Sequence, residues 1–468
     1  TLSRDRMGEK PLYYGWQGKG SAAVFLFGSE LKALKVHPTF QREINRDALS
    51  LFLRHNYIPS PYSIYKGIFK LPPGHLIEIT ETDFYQRVMP EPHQYWSMVD
   101  VAHTGLSNPW QESKEGAIEQ LDTILRSAVE QQMISDVSLG AFLSGGVDSS
   151  TIVALMQTQS SKPVKTFSIG FHEKHFNEAF HAKAVAKYLG TEHTELYLNS
   201  NKALSIIPNL PTIFDEPFSD SSQIPTYLVS RLAKKDVSVS LSGDGGDELF
   251  CGYNRYQMAN NYWDGLQRIP VFLRMLAATG ATSISPGKWN KISRWIPGSS
   301  QYANFGEKIH KGASVLTSRT LDELYIRLVS QWNDPTSIVL NSNELPTLLT
   351  DLRPDFNGFD GVQQMMALDG LTYLPDDILT KVDRSAMSVS LETRMPFLDH
   401  RVVELAWRLP QSLKLKDGNS KWILRQVLYQ YVPKELIERP KMGFGVPIDI
   451  WLRGPLRDWA ESLLDESR

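Results

Sequence analysis

Hydrophobic and polar residues follow two different periods in the middle of this 468-residue chain. Stretches that are predicted to form strands, the first of them an apolar run, lie near 137–143, 164–169, 193–198 and 237–241. Apolar residues recur with helical spacing near 149–159, 178–189 and 222–234. Strands that alternate with helices over short connections predict an α/β fold, in which helices cover both faces of a parallel sheet. Ligands of such sheets bind beyond the carboxyl ends of the strands.

The parts of the chain on either side of this core have different patterns. Residues 1–80 are predicted to be β-rich, with strand-like runs at Val24–Phe27 and Leu76–Ile79. Residues 88–112 contain three prolines and little periodicity, which predicts a linker. From Ile118 onward one helical face is apolar, and beyond about residue 255 the chain is predicted to be mostly helical.

Composition narrows the possible partners and compartments. The formal net charge of −3 gives no reason to expect a nucleic-acid partner. A single cysteine, Cys251, cannot form an internal disulfide, so a cytoplasmic location is expected. The apolar run Ala22–Phe27 is too short to span a bilayer, so no membrane partner is expected. The chain starts at Thr1 without a signal-peptide pattern, and we interpret it as a fragment.

The most informative motif follows the first predicted strand of the core. Leu143–Ser150 reads Leu-Ser-Gly-Gly-Val-Asp-Ser-Ser and leads into a predicted helix. Its two glycines permit a tight turn and a close approach to a ligand, and the helix start favours an anion. Neither a Walker A loop nor a Rossmann fingerprint is present here. The pattern therefore predicts a phosphate cradle of another kind.

A second glycine-rich loop, Ser242–Tyr253, follows the predicted strand at 237–241. Its carboxylates would repel a phosphate unless a metal ion intervened, and Mg²⁺ prefers one or two carboxylates together with phosphate oxygens. We therefore expect Asp148 of the first loop and Asp247 of the second to hold Mg²⁺ on the phosphates.

The first loop resembles the PP-loop of N-type ATP pyrophosphatases, and the second resembles a signature of the asparagine synthetase family. Other stretches that are similar to that family are Arg4–Tyr14, Ser29–Leu34, Phe214–Leu228, Lys381–Arg384, Leu391–Asp399 and Arg439–Phe444. The resemblance covers nearly the whole chain. It implies a doubly wound parallel sheet of the PP-loop type with a helical C-terminal extension, preceded by a partial N-terminal-nucleophile glutaminase domain. The implied domains are residues 1–105, a glutaminase remnant plus linker, and residues 106–468, the synthetase.

The resemblance also implies the reaction. Aspartate would be activated by ATP as β-aspartyl-AMP with release of pyrophosphate, and ammonia would then displace AMP to give asparagine. The catalytic residues would be Lys441, which stabilises phosphate charge, Asp244, which acts on ammonia addition, and Asp148. The ATP-binding residues would be Leu143, Ser144, Gly145, Gly146, Asp148, Ser149, Ser150, Ile169, Ser242 and Gly243. Lys381, Asp383 and Arg384 would organise the site, although a surface ion-pair cluster is the competing interpretation.

The chain departs from the family pattern at its start, where no catalytic cysteine is found. We therefore expect ammonia-dependent activity for this chain and glutamine dependence for the full-length protein. Asp244 stands where the family often has Glu, and its shorter side chain draws the carboxylate back. Histidines at 172 and 175 suggest zinc, but their spacing does not fit a metalloprotease and a loop is favoured.

Three functional readings remain open at this point. The first is asparagine synthesis. The second is the same chemistry on another carboxylate, such as a sugar acid of a polysaccharide, a peptide or a β-lactam precursor. The third is a catalytically silent chain that binds nucleotide. The resemblance alone favours a homodimer.

Overall fold

The computed structural model describes residues 1–171, 178–295, 305–438, 446 and 448–466. Residues 1–107 form two small antiparallel sheets flanked by short helices. Their elements are β1 (Leu2–Ser3), β2 (Tyr13–Gln17), β3 (Val24–Gly28), α1 (Leu31–Leu34), α2 (Arg46–His55), β4 (Phe69–Lys70), β5 (His75–Ile77), α3 (Glu81–Gln86), β6 (His93–Gln94) and α4 (Met98–Ser107). The strand orders are β3-β2-β4 and β1-β5-β6. The β-rich start predicted from the sequence is confirmed.

The middle of the chain alternates strands and helices as predicted. It contains α5 (Lys114–Gln132), β7 (Leu139–Phe142), α6 (Val147–Gln159), β8 (Lys165–Phe171), α7 (Ala179–Leu189), β9 (Glu192–Leu198), α8 (Ser200–Leu204), α9 (Leu210–Phe214), α10 (Gln223–Ala233), β10 (Val239–Leu241) and α11 (Gly246–Leu249). The ends of each predicted core strand and helix lie within two residues of the ends of an observed element. These elements could be predicted because strand-like and helical patterns alternate over short connections, as is typical of a parallel sheet covered by helices.

The remainder is largely helical, as the sequence also predicted. It contains α12 (Asn254–Gln267), α13 (Val271–Ser283), α14 (Pro286–Ile292), α15 (Phe305–Leu316), α16 (Leu321–Val329), α17 (Gly361–Leu368), a π-helical segment (Asp369–Leu379), α18 (Thr380–Met387), β11 (Glu392–Arg394), α19 (His400–Arg408), α20 (Gln411–Lys414), β12 (Leu415–Lys416), β13 (Asn419–Ser420), α21 (Trp422–Leu428), α22 (Lys434–Ile437), α23 (Ile448–Leu452) and α24 (Arg457–Leu463). Two strands pair as a small hairpin, β12 with β13.

The central sheet has five parallel strands in the order β11-β10-β7-β8-β9. Helices α5, α6 and α21 pack against one another, while α10 packs against β8 and α18. The two groups belong to separate hydrophobic cores, one containing Leu125 and Val153 and the other containing Phe167 and Leu228. The order brings the carboxyl ends of β7 and β10 side by side, and both glycine-rich loops begin there.

Two sequence predictions need correction. The fifth strand, β11, was not predicted, because Glu-Thr-Arg is too short and polar to resemble a buried strand. The segment at 88–112 is not simply a linker, since it pairs β6 with β5 and forms the helix α4. Gly105, which suggested a linker, lets α4 approach α19. A side chain there would lie 2.7 Å from the backbone of Trp407.

No helix in the described part of the chain is long and apolar enough to cross a lipid bilayer.

Candidate active site

The loop after β7 is held in a tight turn by two hydroxyl side chains. The backbone N–H of Ser144 donates to Ser149 Oγ at 3.1 Å, and the two hydroxyl oxygens lie 3.0 Å apart. The N–H of Gly146 also donates to Ser144 Oγ at 3.3 Å. Gly145 has a positive φ of 74°, and a side chain there would meet the backbone of α7. The turn is therefore fixed before any ligand binds.

Helix α6 begins at this turn with the geometry of an anion site. Gly146 is its N-cap residue, and no side chain caps the helix start. The first backbone N–H groups of a helix have no partner within the helix, and its dipole is positive at that end. A phosphate placed over the turn would accept hydrogen bonds from these N–H groups.

The second loop contacts the first directly. A side chain at Gly243 would lie 2.7 Å from the backbone nitrogen of Ser149, and one at Gly246 would lie 2.4 Å from Asp148 Oδ1. Only glycine leaves room for the two loops at this distance. The two glycine-rich motifs, about a hundred residues apart in the sequence, therefore form one site.

Lys421 joins the acidic residues of the two loops. Its Nζ lies 2.7 Å from Asp247 Oδ1 and also forms an ion pair with Asp148. The lysine has a left-handed backbone, with φ of 56°, and its side chain is almost fully buried. Burial acts to lower the pKa of Lys421, but the two carboxylates outweigh it and raise that pKa. Gly252 makes room for the arrangement, because a side chain there would collide with Asp247 and Lys421.

The donor set at this point fits Mg²⁺ only if phosphate supplies further ligands. Asp148 and Asp247 offer hard carboxylate oxygens, and both already lie beside one cation, Lys421. Within the described residues no group of three or more His, Cys, Asp or Glu side chains could hold a metal ion. Mg²⁺ usually combines one or two carboxylates with water and substrate phosphates, and the residues present match that pattern.

Asp244 and Glu248 lie in the same loop with perturbed acidities. Burial raises the pKa of Asp244, although the Ser242 hydroxyl donates to its Oδ2 at 2.5 Å. Burial likewise raises the pKa of Glu248 to about 7, and the Tyr253 hydroxyl donates to this side chain at 2.6 Å. Carboxyl groups with raised pKa values in a cleft are typical of proton-transfer sites.

A cavity of about 620 Å³ opens over both loops. Its lining includes Leu143, Ser144, Gly146, Asp148, Ser149, Ile169, Ser242, Gly243, Asp244, Asp247 and Lys381 from the predicted site residues. Ile169 is buried near the carboxyl end of β8, where it lines the cavity. Gly145 and Ser150 lie behind the lining, where Gly145 packs on α7 and Ser150 is fully buried.

Another part of the cavity wall carries a buried ion pair. Lys381 Nζ lies 2.6 Å from Asp220 Oδ2, and Asp220 also accepts from the N–H and hydroxyl of Ser222. Burial acts to lower the pKa of Lys381, but the carboxylates of Asp220 and Asp377 raise it overall. The lysine therefore stays charged at this wall.

Asp383 and Arg384 do not line the cavity. They pair with each other, Asp383 Oδ1 lies 2.8 Å from Lys10 Nζ, and Arg384 donates to the carbonyl of Ser29 at 2.7 Å. Both side chains are nearly fully buried, so a surface ion-pair cluster is ruled out. They connect α18 to the N-terminal part of the chain. The predicted catalytic Lys441 and the histidines at 172 and 175 lie outside the described residues.

Two models of known protein families match this chain, and one of them covers both glycine-rich loops. The family model for asparagine synthase matches residues 120–468. A second model, for a glutamine amidotransferase domain, matches residues 1–96. The chain belongs to the asparagine synthetase family. As a member of that family it is a carbon–nitrogen ligase.

Relatives of the chain align over all of it or over a part of it. "Asparagine synthetase [glutamine-hydrolyzing] 1" of Bacillus subtilis is 30% identical over 473 residues, covering 100% of this chain and 68% of that protein. A "Putative asparagine synthetase [glutamine-hydrolyzing] 2" of Methanocaldococcus jannaschii is 42% identical over 284 residues, 59% of this chain and 51% of that protein. "Amidase chyE" of Penicillium rubens is 25% identical and covers 97% of this chain and 68% of its own length.

Sequence reasoning missed three of the residues that shape this asparagine synthetase-family site. Lys421 has no motif signal of its own, and its contact with Asp148 spans 273 positions. Asp220 lies inside a stretch that the sequence had matched to the family, but its pairing with Lys381 depends on the fold. Tyr253 ends the second glycine-rich motif, so its position beside Glu248 could have been anticipated from the loop.

Proposed function

We propose that this chain activates the side-chain carboxylate of L-aspartate with ATP and amidates it to L-asparagine. The observation that carries the proposal is the contact between the two loops, which places a phosphate cradle and two carboxylates in one cavity. In the lining of the same cavity, the Asp220–Lys381 pair offers one negative and one positive group. An amino acid with an ammonium and two carboxylates complements such a wall.

In the first step, a carboxylate oxygen of the acid attacks the α-phosphorus of ATP. The bond from that phosphorus to the bridging oxygen breaks, and pyrophosphate leaves with the electron pair. Negative charge builds on the phosphate oxygens, so the helix start at Val147 and the ammonium of Lys421 stabilise it. Lys441 is proposed to act there as well. Bound through Asp148 and Asp247, Mg²⁺ would neutralise pyrophosphate charge.

In the second step, ammonia attacks the acyl carbon of β-aspartyl-AMP and the bond from that carbon to the AMP oxygen breaks. The nitrogen must lose a proton, and we assign its acceptor as Asp244. Its pKa is raised by burial, which makes its carboxylate a better base than an exposed aspartate. The shorter side chain at this position is supported by the Ser242 hydroxyl, which holds the carboxylate in place.

The source of nitrogen is a further part of the proposal. We propose ammonia as the donor for this chain, and glutamine for a protein that carries a complete glutaminase domain. The match of residues 1–96 to a glutamine amidotransferase domain supports the second statement. The PP-loop fold type, a cytoplasmic location, a homodimeric assembly and an absence of nucleic-acid or membrane partners are part of the same proposal.

A second candidate keeps this chemistry and changes the acid. The relative named as an amidase shows that similar chains do not all carry the name asparagine synthetase. The segment 214–228 would decide between the acids, because its residues Asp220, Ser221, Ser222 and Thr226 line the same cavity as the phosphate cradle.

The test is release of pyrophosphate from Mg-ATP with L-aspartate, with ammonium or glutamine as donor. Aspartate-dependent release with ammonium supports the proposal. The variant Asp247→Asn should slow that release by about a hundredfold, because a charge contact to the phosphates is lost. Asp236→Asn, at an exposed position before β10, is the matched control. Mg-ATP binding without any response to aspartate would favour another acid.

A further inference from the structure

The charged wall of the cavity is built by a short segment, residues 214–222, that leads from α9 into α10. Asp220, Ser221 and Ser222 line the cavity at one end of this segment. Asp220 forms the 2.6 Å ion pair with Lys381. The position of this wall therefore depends on what fixes the preceding residues.

Glu216, near the start of the segment, is held by residues of the N-terminal region, 1–96. Its Oε1 lies 2.5 Å from Lys70 Nζ and accepts from the Tyr13 hydroxyl at 3.2 Å, while Oε2 accepts from the N–H of Ile64 at 3.2 Å. The Lys70 and Glu216 side chains are only 7% and 6% exposed. A charge buried to this degree is strongly disfavoured without its partner. The pair therefore holds the segment 214–222 against the N-terminal region.

Two further contacts hold the same segment from the same side. Asp215 has a left-handed backbone, with φ of 66°, and its Oδ2 accepts from the N–H of Lys32 at 3.1 Å. The N–H of Ser219 donates to the carbonyl of Asn56 at 2.8 Å. A strained backbone persists only where its surroundings fix it, and here the N-terminal region does so.

The N-terminal region also contacts the π-helical segment and the helix α18, which carries Lys381. The N–H of Ser60 donates to Asp376 at 2.8 Å, and Lys10 Nζ lies 2.8 Å from Asp383. These two carboxylates flank Lys381 in the sequence. The phosphate cradle is instead built by contacts of the two glycine-rich loops with each other and with Lys421.

We propose that Lys70 and Glu216 form an anchor through which the N-terminal region positions the acid-binding wall. In this assignment Glu216 is a positioning residue that acts through Asp220 and Lys381, while the ATP side of the cavity is independent of it. The inference rests on the proposed function in one respect, because it takes this wall as the side that receives the acid.

Amide hydrogen exchange tests the anchor without any assay of activity. The variants are Glu216→Gln and Lys70→Met, and the matched controls are Glu43→Gln and Lys66→Met. That control pair also joins a lysine and a glutamate at 2.5 Å in the N-terminal region, but the two side chains are 58% and 61% exposed. We expect exchange in residues 214–222 to become about tenfold faster in the anchor variants, with residues 143–149 unchanged. Unchanged exchange in 214–222 overturns the anchor.

Steady-state kinetics then separate positioning from general damage. In Glu216→Gln, the KM for L-aspartate should rise about tenfold while the KM for ATP stays within about twofold. Lys70→Arg keeps the charge and should retain the low KM for the acid. A parallel rise in both KM values contradicts selective positioning. If Glu216→Gln does not fold, Glu216→Asp shortens the anchor by one methylene and supports the same comparison.

The two proposals can fail separately. If the unmodified chain releases no pyrophosphate with aspartate, the proposed substrate is wrong, but the exchange of residues 214–222 still decides the anchor. If the chain is active with aspartate and the anchor variants exchange normally, the anchor is wrong and the function stands.

Discussion

Lys421 gives the phosphate end of this site a cation of its own. Two carboxylates, Asp148 and Asp247, lie beside a single buried ammonium group. Like charges this close disfavour the folded state unless a positive charge lies between them. The ammonium thus stabilises the folded site, and under the proposed function it also provides a charge for phosphate.

Removal of the Lys421 cation should change the free energy of unfolding, which can be measured without an assay of activity. We expect Lys421→Met to lower the free energy of unfolding by about 1–3 kcal/mol, since both carboxylates are partly exposed and solvent screens part of their repulsion. Millimolar MgCl₂ should recover stability in the variant more than in the unmodified chain. Thermal unfolding with and without MgCl₂ measures both effects.

The matched control for this variant is Lys162→Met, at an exposed position remote from the cavity. Its stability and its response to MgCl₂ should match those of the unmodified chain. An equal response to MgCl₂ in Lys421→Met and in the control would contradict a cation role for Lys421.

At the scale of elements, the site is a contact between two loops that follow neighbouring strands. The sequence predicted β7 and β10 and placed a glycine-rich loop after each one. It could not predict that these strands are adjacent, because strand order depends on packing between distant residues. The close approach at Gly243 is the physical consequence of that order.

The variant Gly243→Ala should separate the loops while leaving the sheet intact. The added methyl group would lie 2.7 Å from the Ser149 nitrogen, and such overpacking costs about 1–3 kcal/mol. We expect the dissociation constant for Mg-ATP to rise at least about tenfold, which isothermal titration calorimetry can measure. Gly280→Ala, in α13 with open space around it, should leave ATP binding unchanged.

Some elements could be predicted from the sequence and others could not, for physical reasons. The strand β8 is visible in the sequence because Phe167, Ile169 and Phe171 recur along it, and both faces of the strand are buried. The strand β11 is stabilised by its pairing with β10 and not by its own composition. Helix α4 was obscured by the prolines on either side of it. Gly105, which weakened the helical pattern, is required by the contact with Trp407.

At the scale of the whole molecule, the N-terminal region and the synthase region share buried charges. Lys70 pairs with Glu216, and Lys10 pairs with the buried Asp383. Separation of the two regions would take Lys70 away from Glu216 and Lys10 away from Asp383. Asp383 would keep Arg384 as a partner, but loss of the buried pair at Glu216 is strongly unfavourable. This interdependence was invisible in the sequence, where the partners of each pair lie far apart.

We therefore expect the chain to unfold as one cooperative unit. In urea, the amides of β2 and those of β7 should lose protection from hydrogen exchange at the same denaturant concentration. Loss of protection in β2 at a clearly lower concentration would contradict this coupling. Lys66→Met, which removes an exposed ion pair, should leave the two transitions coincident.

The Lys70–Glu216 pair also matters to anyone who recombines this chain with its relatives. The two family matches leave residues 97–119 between them, which makes that stretch an obvious junction for chimaeric proteins. A graft made there would replace Lys70 and retain Glu216, so a donor without a cation at that place would leave a buried carboxylate unmatched. Suitable parents for such a chimaera are those that have the same residues at positions 70 and 216. The two charged residues must be exchanged together, although they lie far apart in the sequence.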